Sequence, residues 1–272
     1  MTADHTVLTI DLNADLGEGA GQDAEILPLV SSVNISCGAH AGDHLDIVSA
    51  LEQAAQREVA VGAHPSYPDR EFLGRRSVAM PPARLRATIL AQLESLAERA
   101  IHSGTRLQHV KPHGALYNDA ASDMDLAQQL CEIVAEFDRD IVIVGLAGGR
   151  LLEAAQHLGL PSRSEAFVDR RYQADGTLVN RSHPAALLTR QEQAVAQALS
   201  IIQSGQVTTI DGTSRDLNAQ TLCIHGDTPG ALLFARQLRA ALDVAGIQVG
   251  APPRSSLPHS PTSIPPSPSK LR

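Results

Sequence analysis

Six histidines lie at or just beyond the ends of short apolar segments, and those segments recur along most of the chain. The imidazole side chain changes charge near neutral pH, and its neutral form is a common metal ligand, so histidine suits both proton transfer and metal binding. The same placement on four separate segments indicates that the fold gathers these side chains in one place. The six are His40, His44, His64, His109, His113 and His225.

The predicted strands that carry these histidines each have one polar face. Side chains two residues apart in a strand share a face, and in the first strand this rule places Asp11, Asn13 and Asp15 together. Ionisable groups buried without partners are costly. We therefore expect these polar faces to pair with one another, with a metal or with a ligand. Further members of the polar faces are Asn34, Ser36, His40, His109, Lys111, His113, Glu165, Asp169, Cys223, His225 and Asp227.

The elements that must position these residues alternate between strand-like and helix-like periods. This alternation predicts the α/β class, with a parallel sheet and helical crossovers. In a closed β/α barrel all strands direct their carboxyl ends to one site, whereas an open sheet concentrates its site at a switch point. Polar residues on every strand therefore favour a seven-stranded parallel β/α barrel. Strands are predicted at 7–16, 33–40, 59–64, 107–116, 140–148, 165–169 and 222–227, and helices at 44–58, 82–104, 125–137, 149–159, 190–205 and 229–246.

Residues 1–250 are expected to form a single catalytic β/α-barrel domain, since this length can bury one large core. The segment at 251–272 is rich in proline and serine and has almost no large apolar side chains, so it predicts a disordered tail. Two polar connections interrupt the alternation of strands and helices. The connection at 170–184 is typical of a lid or binding loop, and the one at 206–218 indicates a short hairpin.

Composition argues against several classes of function. The formal net charge of -8 disfavours binding to a nucleic-acid backbone. The sequence has no run of about 18 apolar residues and no signal-peptide pattern, so we expect no membrane association. Three scattered cysteines are typical of a reduced, cytoplasmic protein. Neither a G-x-G-x-x-G after the first strand nor a G-x-x-x-x-G-K-[ST] phosphate-binding motif is present.

One group of polar strand ends has the residue types of a metal site. Two aspartates and two histidines are predicted to hold a divalent cation and to leave one position open for water. The alternative is that no metal binds and that these side chains only form hydrogen bonds inside the barrel. A purely structural role is as plausible for His44 and His109, since buried polar side chains are usually hydrogen-bonded. The four candidate ligands are Asp11, Asp15, His40 and His64.

Six stretches of the chain carry a more specific pattern. They are DLNADLGEG at 11–19, NISCGAHAGD at 34–43, GAHPSYPD at 62–69, HVKPHGALYN at 109–118, EAFVDRRY at 165–172 and CIHGDTP at 223–229. In order and without large gaps from about residue 7 to 248, the chain resembles the LamB/YcsF family. It departs from the usual family pattern at Ala39, His44 and Ser66, where an aromatic residue, proline and glycine are common. The departure at His44 weakens the case for a functional role of that residue.

The resemblance implies a β/α barrel similar to the glycoside hydrolase/deacetylase group. Characterised members of the family are the first of the three subunits of the prokaryotic ATP-dependent 5-oxoprolinase, so the resemblance also implies a hydrolase that acts on a cyclic amide. That enzyme cleaves 5-oxo-L-proline to L-glutamate and hydrolyses ATP to ADP and phosphate, in a complex with the other two, subunits B and C. ATP is therefore expected as a cofactor of the complex. Whether ATP binds this chain or a partner stays open, because the chain lacks a P-loop.

Roles for individual residues are hypotheses that rest on the matched motifs. The expected catalytic residues are Asp15, His64, Lys111 and His113. The first two are candidates for the general base or a metal ligand, and the last two would stabilise negative charge that develops on oxygen or phosphate. Two adjacent arginines are expected to hold the substrate carboxylate through a bidentate pair, and Asp227 is expected to orient His225. The expected substrate-binding residues are Asn13, His40, Asp169, Arg170, Arg171, His225 and Asp227.

Two other functions fit the same residues. A stand-alone metal-dependent carbohydrate deacetylase has the same broad fold, needs a bound metal and uses no ATP. A non-catalytic scaffold for subunits B and C has no need of a polar pocket, and the many ionisable strand ends argue against it. Metal analysis, together with an assay that omits ATP, separates the deacetylase from the 5-oxoprolinase.

Overall fold

The computed structural model of the protein describes residues 7–224 and 230–251. Its strands are β1 (Thr9–Leu16), β2 (Ser32–Ser36), β3 (Ala60–His64), β4 (Leu107–Val110), β5 (Val142–Leu146), β6 (Ser162–Phe167), β7 (Gln206–Thr208), β8 (Ser214–Asp216), β9 (Thr221–Ile224) and β10 (Gln248–Val249). Its helices are α1 (Asp23–Ile26), α2 (His44–Gln56), α3 (Pro82–His102), α4 (Gly114–Ser122), α5 (Met124–Phe137), α6 (Arg150–His157), α7 (Gln191–Ser204) and α8 (Ala231–Val244), with a 3-10 turn at Leu27–Leu29. Each strand from β1 to β6 is followed by a helix, so the alternation predicted from the sequence is confirmed.

Seven parallel strands close into a barrel at the centre of the fold. Neighbouring strands run in the order β1, β2, β3, β4, β5, β6 and β9, and β9 pairs in turn with β1, where Cys223 lies opposite Asn13. This closing pair excludes an open sheet, so the predicted seven-stranded parallel β/α barrel is confirmed. β10 adds a short parallel pairing to the first residues of β1, and β7 and β8 form an antiparallel hairpin.

The interior of the barrel is polar, while the opposite face of the strands joins the apolar core. Leu12 and Leu16 of β1 belong to that core together with apolar residues of the helices. Asn13, which has the other parity, bonds across the barrel: its Nδ2 donates to Glu165 Oε1 at 2.9 Å and to Thr221 Oγ1 at 2.7 Å. Side chains of β1, β6 and β9 therefore meet inside the barrel, as the parity of the sequence predicts.

Local sequence signals begin the helices that surround the barrel. Asp43 caps α2 by accepting hydrogen bonds from two backbone amides, and its own amide donates to the side chain of Asp46. The first helical residue, His44, is exposed and lies outside the barrel interior. Asp123 caps α5 through two backbone amides, and Pro82 opens α3 in the first turn, where proline is tolerated. These local signals set the first residues of α2, α3 and α5.

Several strands end earlier than the sequence pattern predicts, and the difference is largest for β4 and β2. One strand is expected at 107–116, but β4 ends at Val110 and α4 begins at Gly114. Pro112 has no amide hydrogen for a further ladder bond, and Gly114 adopts a φ of 55°, a conformation that favours glycine. In the same way β2 ends at Ser36, before the predicted end at residue 40. The polar residues that follow these strands therefore lie on connections at the rim of the barrel.

Several sequence predictions fall outside the described residues. His225 and Asp227 lie between 224 and 230, and the predicted tail lies beyond 251 apart from its first residue. The roles of both residues, and the division into a domain at 1–250 and a tail at 251–272, stay predictions. Within 7–224 and 230–251, no helix combines the length and apolar character needed to span a membrane.

Gly62 in β3 leaves room for a histidine inside the barrel. A Cβ atom at this position would lie 2.1 Å from Nε2 of His109, and that nitrogen bonds to Asn34 Oδ1 at 2.8 Å. The pairing of β3 with β4 also shifts register between Val61 and Gly62. We expect Gly62→Ala to lower the free energy of unfolding by about 3 kcal/mol, because the added methyl group overpacks a filled interior. Urea denaturation followed by circular dichroism measures the change.

Gly250→Ala is the matched control for this prediction. Its added Cβ meets only an ordinary contact with Thr9 at 3.8 Å, so stability should change by less than about 0.5 kcal/mol. A second substitution, His109→Ala, is expected to recover part of the loss in the Gly62→Ala protein, because it removes the clashing ring. Equal stability losses in the Gly62→Ala and Gly250→Ala proteins would show that His109 moves aside without cost.

Candidate functional site

A pocket of about 440 Å³ opens at the carboxyl ends of the barrel strands. Side chains that end or follow β1, β3, β4 and β6 line it. This is the end of the barrel at which β/α-barrel enzymes carry their active sites. Five residues singled out in the sequence lie on its wall, together with Glu18, which was not. The five are Asp15, His64, Lys111, His113 and Arg170.

Two buried imidazoles in this pocket each have one ring nitrogen, called the outer nitrogen here, that lies within hydrogen-bond distance of a backbone carbonyl oxygen. His64 ends β3, and its Nδ1 lies 2.7 Å from the carbonyl oxygen of Lys111. His113 precedes α4, and its Nε2 lies 2.9 Å from the carbonyl oxygen of Leu73. A carbonyl oxygen only accepts hydrogen bonds, so each of these outer nitrogens carries a hydrogen. The inner nitrogens, Nε2 of His64 and Nδ1 of His113, face each other at 2.9 Å.

The two inner nitrogens require a positive species between the rings. In neutral rings bonded as described, both inner nitrogens are unprotonated acceptors, and two acceptors at this distance repel each other. Burial, followed by the proximity of His64 and His40, lowers the pKa of His113 well below its usual value, so its ring is neutral near pH 7. Either a hydrogen shared by the two inner nitrogens or a metal cation bound by both rings satisfies the pair.

Glu18 brings a carboxylate to the same place. Its Oε1 lies 3.5 Å from Nδ1 of His113 and 3.0 Å from Nε2 of His40. Ligand atoms of Glu18, His64 and His113 all lie within 4.8 Å of one another, a spacing at which they can hold a metal ion. Metal-binding histidines typically donate a hydrogen bond from the other ring nitrogen to a partner such as a backbone carbonyl, as the outer nitrogens of His64 and His113 do here. These three residues therefore fit a divalent cation.

Strand parity does not point to Glu18, because β1 already ends at Leu16. The glycines on either side, Gly17 and Gly19, have φ angles of 72° and 80°, the left-handed conformation that glycine adopts most readily. The chain turns there and carries Glu18 to His40. The signal available in the sequence is the Gly-Glu-Gly string directly after a strand that carries other candidate site residues.

Asp11, one of the four predicted metal ligands, lies away from this cluster. Its carboxylate accepts from the hydroxyls of Ser31 at 2.6 Å and Ser32 at 2.9 Å, and it pairs with Arg163 at 3.5 Å. A strand rises about 3.3 Å per residue, which puts Asp11 about 13 Å along β1 from Asp15. Asp11 therefore belongs to a structural ion pair at the amino end of the barrel, and its assignment to the metal site is corrected.

Asp15 and His40, two other predicted ligands, lie beside the cluster of Glu18, His64 and His113. Oδ2 of Asp15 lies 3.4 Å from Nε2 of His64. The ring of His40 stacks on that of His113, with centroids 3.7 Å apart. Burial, followed by the proximity of His64, lowers the pKa of His40 to about 3, so this ring is neutral. His40 thus contacts Glu18 through its Nε2, and Asp15 lies beside His64.

Lys111 carries a buried ammonium that joins three strands of the barrel. Its Nζ lies 2.9 Å from Glu165 Oε1, 3.0 Å from Asp15 Oδ1 and 3.1 Å from Cys223 Sγ. Burial alone lowers the pKa of Lys111, but its acidic neighbours outweigh burial and hold that pKa well above the ordinary value. Burial raises the pKa of the Cys223 thiol well above its usual range, so Cys223 is a poor nucleophile here.

The remaining sequence-predicted residues take different positions. Asn13 bonds inside the barrel rather than in the pocket. Arg170 lines the pocket, and its Nη2 donates to the carbonyl oxygen of Val179 at 2.7 Å. Asp169 is buried immediately before it, with 9% of its surface exposed. Arg171 is not among the pocket residues, and its amide donates to the backbone of the same connection at 2.9 Å.

Two long connections border the pocket. The connection at 65–81 runs from β3 to α3, and its Arg70 donates to two backbone carbonyls of the connection after β2, at 2.6 and 3.0 Å. The connection at 168–190 runs from β6 to α7 and contains the predicted lid. An antiparallel bridge between Arg170 and Leu187 holds it against itself. Both connections are therefore tied down by hydrogen bonds rather than left as open loops.

The chain resembles known proteins over most of its length. The sequence model of the LamB/YcsF family matches residues 10–256. The structure is similar to that of a lactam utilization protein from Thermus thermophilus, with a TM-score of 0.84 and 42% sequence identity. The similarity covers 90% of this chain and 100% of that one.

Two more distant structures share the barrel. A putative cellobiose-phosphate cleavage protein from Enterococcus faecalis has a TM-score of 0.53 at 12% identity, over 90% of this chain and 97% of that chain. The catalytic domain of a peptidoglycan N-acetylglucosamine deacetylase from Eubacterium rectale has a TM-score of 0.51 at 12% identity, over 96% of each chain. At such identities the likeness concerns the fold alone. The fold is thus similar to deacetylase-type barrels, as expected.

Proposed function

Because the chain belongs to the LamB/YcsF family, we propose that it opens the lactam ring of 5-oxo-L-proline as one subunit of an ATP-dependent 5-oxoprolinase. The product is L-glutamate. The similar protein from Thermus thermophilus is described as a lactam utilization protein, which supports a cyclic amide as the substrate. One structural observation carries the proposal: Glu18, His64 and His113 converge in a pocket at the active end of the barrel.

The proposed reaction explains why ATP is needed. A five-membered lactam is an unreactive amide, and its ring closes readily. Transfer of the terminal phosphoryl group of ATP to the lactam oxygen makes the ring carbon electrophilic. Water adds to that carbon and loses a proton to a general base, after which the carbon–nitrogen bond breaks and the nitrogen gains a proton. The resulting acyl phosphate reacts with a second water to give glutamate and phosphate.

The residues of the pocket fit the ring-opening step. Asp15 is the proposed general base, because it lines the pocket and its Oδ2 lies 3.4 Å from His64. Lys111 places a fixed positive charge beside it, which favours negative charge that develops on the reacting oxygen. Glu18, His64 and His113 would hold a divalent cation, which supplies Lewis-acid activation of oxygen when bound. His40 would orient Glu18 through the contact of 3.0 Å.

We assign the ATP chemistry to the partner subunits B and C. The chain has no P-loop and no G-x-G-x-x-G after its first strand, so the sequence motifs offer no cradle for a triphosphate. In this scheme the complex consumes ATP in the cytoplasm, and this chain completes the hydrolysis of the activated lactam.

Reconstitution tests the proposal. The purified chain is assayed on 5-oxo-L-proline with and without subunits B and C, and with and without ATP. We expect glutamate and phosphate to appear together only in the complete mixture. Activity of the chain alone on an N-acetylated sugar, without ATP, would instead establish the metal-dependent deacetylase. Full turnover by complexes that carry Asp15→Asn or His64→Gln would identify the chain as a scaffold.

A further inference from the structure

Three arginines from two different connections line the pocket that contains Glu18, His64 and His113. Arg75 comes from the connection after β3, while Arg170 and Arg181 come from the connection after β6. Of these three, only Arg170 belongs to a motif singled out in the sequence. The pocket therefore has a cationic wall beside its carboxylate and imidazole cluster.

Arg170 has the other two pocket arginines among its charged neighbours. Burial, followed by the charge of Arg181, lowers the pKa of Arg170, and Arg75 adds to the effect while Asp169 opposes it. Arg170 is only 5% exposed, and its Nε is buried without a hydrogen-bond partner among the described residues. Guanidinium groups that share one pocket wall favour the binding of an anion there.

Neighbouring arginines show that this convergence is specific. Arg76 follows Arg75 directly, yet it pairs with Asp69 at 3.2 Å and stacks over the ring of Phe72 at 4.0 Å. Arg190 closes the connection that carries Arg181 and lies near Glu192 at 3.8 Å. Neither Arg76 nor Arg190 lines the pocket. These two side chains are matched controls for the pocket arginines.

We propose that Arg75, Arg170 and Arg181 form a subsite for an oxyanion carried by the substrate. Guanidinium groups recognise carboxylate and phosphate through paired, charge-assisted hydrogen bonds. The subsite selects anionic lactams over neutral ones and holds the ring against the Glu18 cluster. The lactam named here rests on the proposed function, whereas the preference for an anion rests on the arginines alone. The bound group is the carboxylate of the lactam or a phosphoryl group added to it.

Calorimetry on the purified full-length chain tests the subsite with three probes. The probes are 5-oxo-L-proline, which has a carboxylate, 2-pyrrolidinone, which has the same ring without one, and inorganic phosphate. We expect the wild type to bind at least one of the two anions and to bind 2-pyrrolidinone at least about tenfold more weakly than that anion. Arg75→Gln and Arg181→Gln should each weaken anion binding about tenfold or more, because each removes charge-assisted hydrogen bonds. The responding anion is the one that binds the wild type and loses affinity in the pocket variants. Its identity shows whether the subsite takes the carboxylate or the phosphoryl group.

Arg76→Gln and Arg190→Gln should bind the responding anion as the wild type does. The subsite is overturned if neither anion binds, if 2-pyrrolidinone binds as tightly as the responding anion, or if the control variants lose as much affinity as the pocket variants. Circular dichroism of each variant verifies the fold. The variants could show arginine-dependent anion binding while the full complex shows no ATP-dependent turnover of 5-oxo-L-proline. That outcome would support the anion subsite and exclude 5-oxo-L-proline as the substrate.

Discussion

His113→Ala is expected to lower the turnover of 5-oxo-L-proline by the reconstituted complex about 10³-fold. The same substitution should abolish tight binding of Zn²⁺ to the isolated chain. The reason is the pair of inner nitrogens, Nε2 of His64 and Nδ1 of His113, which face each other at 2.9 Å while backbone carbonyls hold their outer nitrogens. Among the described residues, removing one ring leaves two members of the cluster, His64 and Glu18, to hold a cation. Steady-state assays and calorimetry with Zn²⁺ measure the two effects.

His102→Ala is the control for this prediction. That histidine is exposed at the end of α3, where its Nδ1 lies 2.7 Å from the carbonyl oxygen of Glu98, so both measurements should match the wild type. The turnover and the Zn²⁺ affinity of the His40→Gln protein are expected to lie between those of the His113→Ala and His102→Ala proteins. The substitution removes the group that orients Glu18 but does not remove a ligand. Wild-type turnover in the His113→Ala complex would overturn the role of the imidazole pair. Unchanged Zn²⁺ affinity with lost turnover would keep His113 in the reaction and exclude it as a ligand.

Lys111→Met is expected to lower the free energy of unfolding by about 4 kcal/mol. The ammonium of Lys111 lies 2.9 Å from Glu165, which is fully buried, and 3.0 Å from Asp15. Methionine keeps much of the packing volume but leaves a buried carboxylate without a counter-charge. Removing one partner of a buried ion pair is strongly destabilising for this reason. Guanidinium-induced unfolding of both proteins at neutral pH measures the difference.

An exposed ion pair provides the comparison. Arg86 of α3 pairs with Glu136 of α5, and both side chains are about half exposed. Arg86→Met should therefore cost less than about 1 kcal/mol. Glu165→Gln in the Lys111→Met background should restore part of the lost stability, because it removes the uncompensated charge. If Lys111→Met costs no more than Arg86→Met, the stability of the barrel interior does not depend on this ammonium.

The depth of a residue along a strand explains why one part of the site could be predicted and another could not. Parity selects Asp11 and Asp15 equally, because both face the barrel interior. Their ion-pair partners distinguish the two positions: Asp11 pairs with Arg163, and Asp15 pairs with Lys111. Parity assigns the face of a strand, while the register between strands assigns the end of the barrel. A single sequence contains the first kind of information and little of the second.

Turns explain most of the remaining differences. Glu18 follows Gly17, whose left-handed backbone breaks the alternation on which the strand pattern depends. The string around Lys111 and His113 combines the end of a strand, a proline bend and the start of α4, so no single period describes it. The pocket arginines are harder still, since Arg75 and Arg181 sit in long connections far apart in sequence. Only the closed barrel brings such connections together.

The pairing of β10 with β1 has a practical consequence for work on this protein. Gln248 lies beside Thr9, and the amide of Gly250 donates to the carbonyl oxygen of Ile10 at 3.0 Å. The two ends of the described chain thus emerge side by side at the amino end of the barrel, on the face away from the pocket. A fluorophore or surface tether attached at Val7 or Ala251 therefore lies away from the pocket mouth. The same proximity suits the segment 7–251 to circular permutation, with a short linker that joins residue 251 to residue 7 and new termini in the β7–β8 turn.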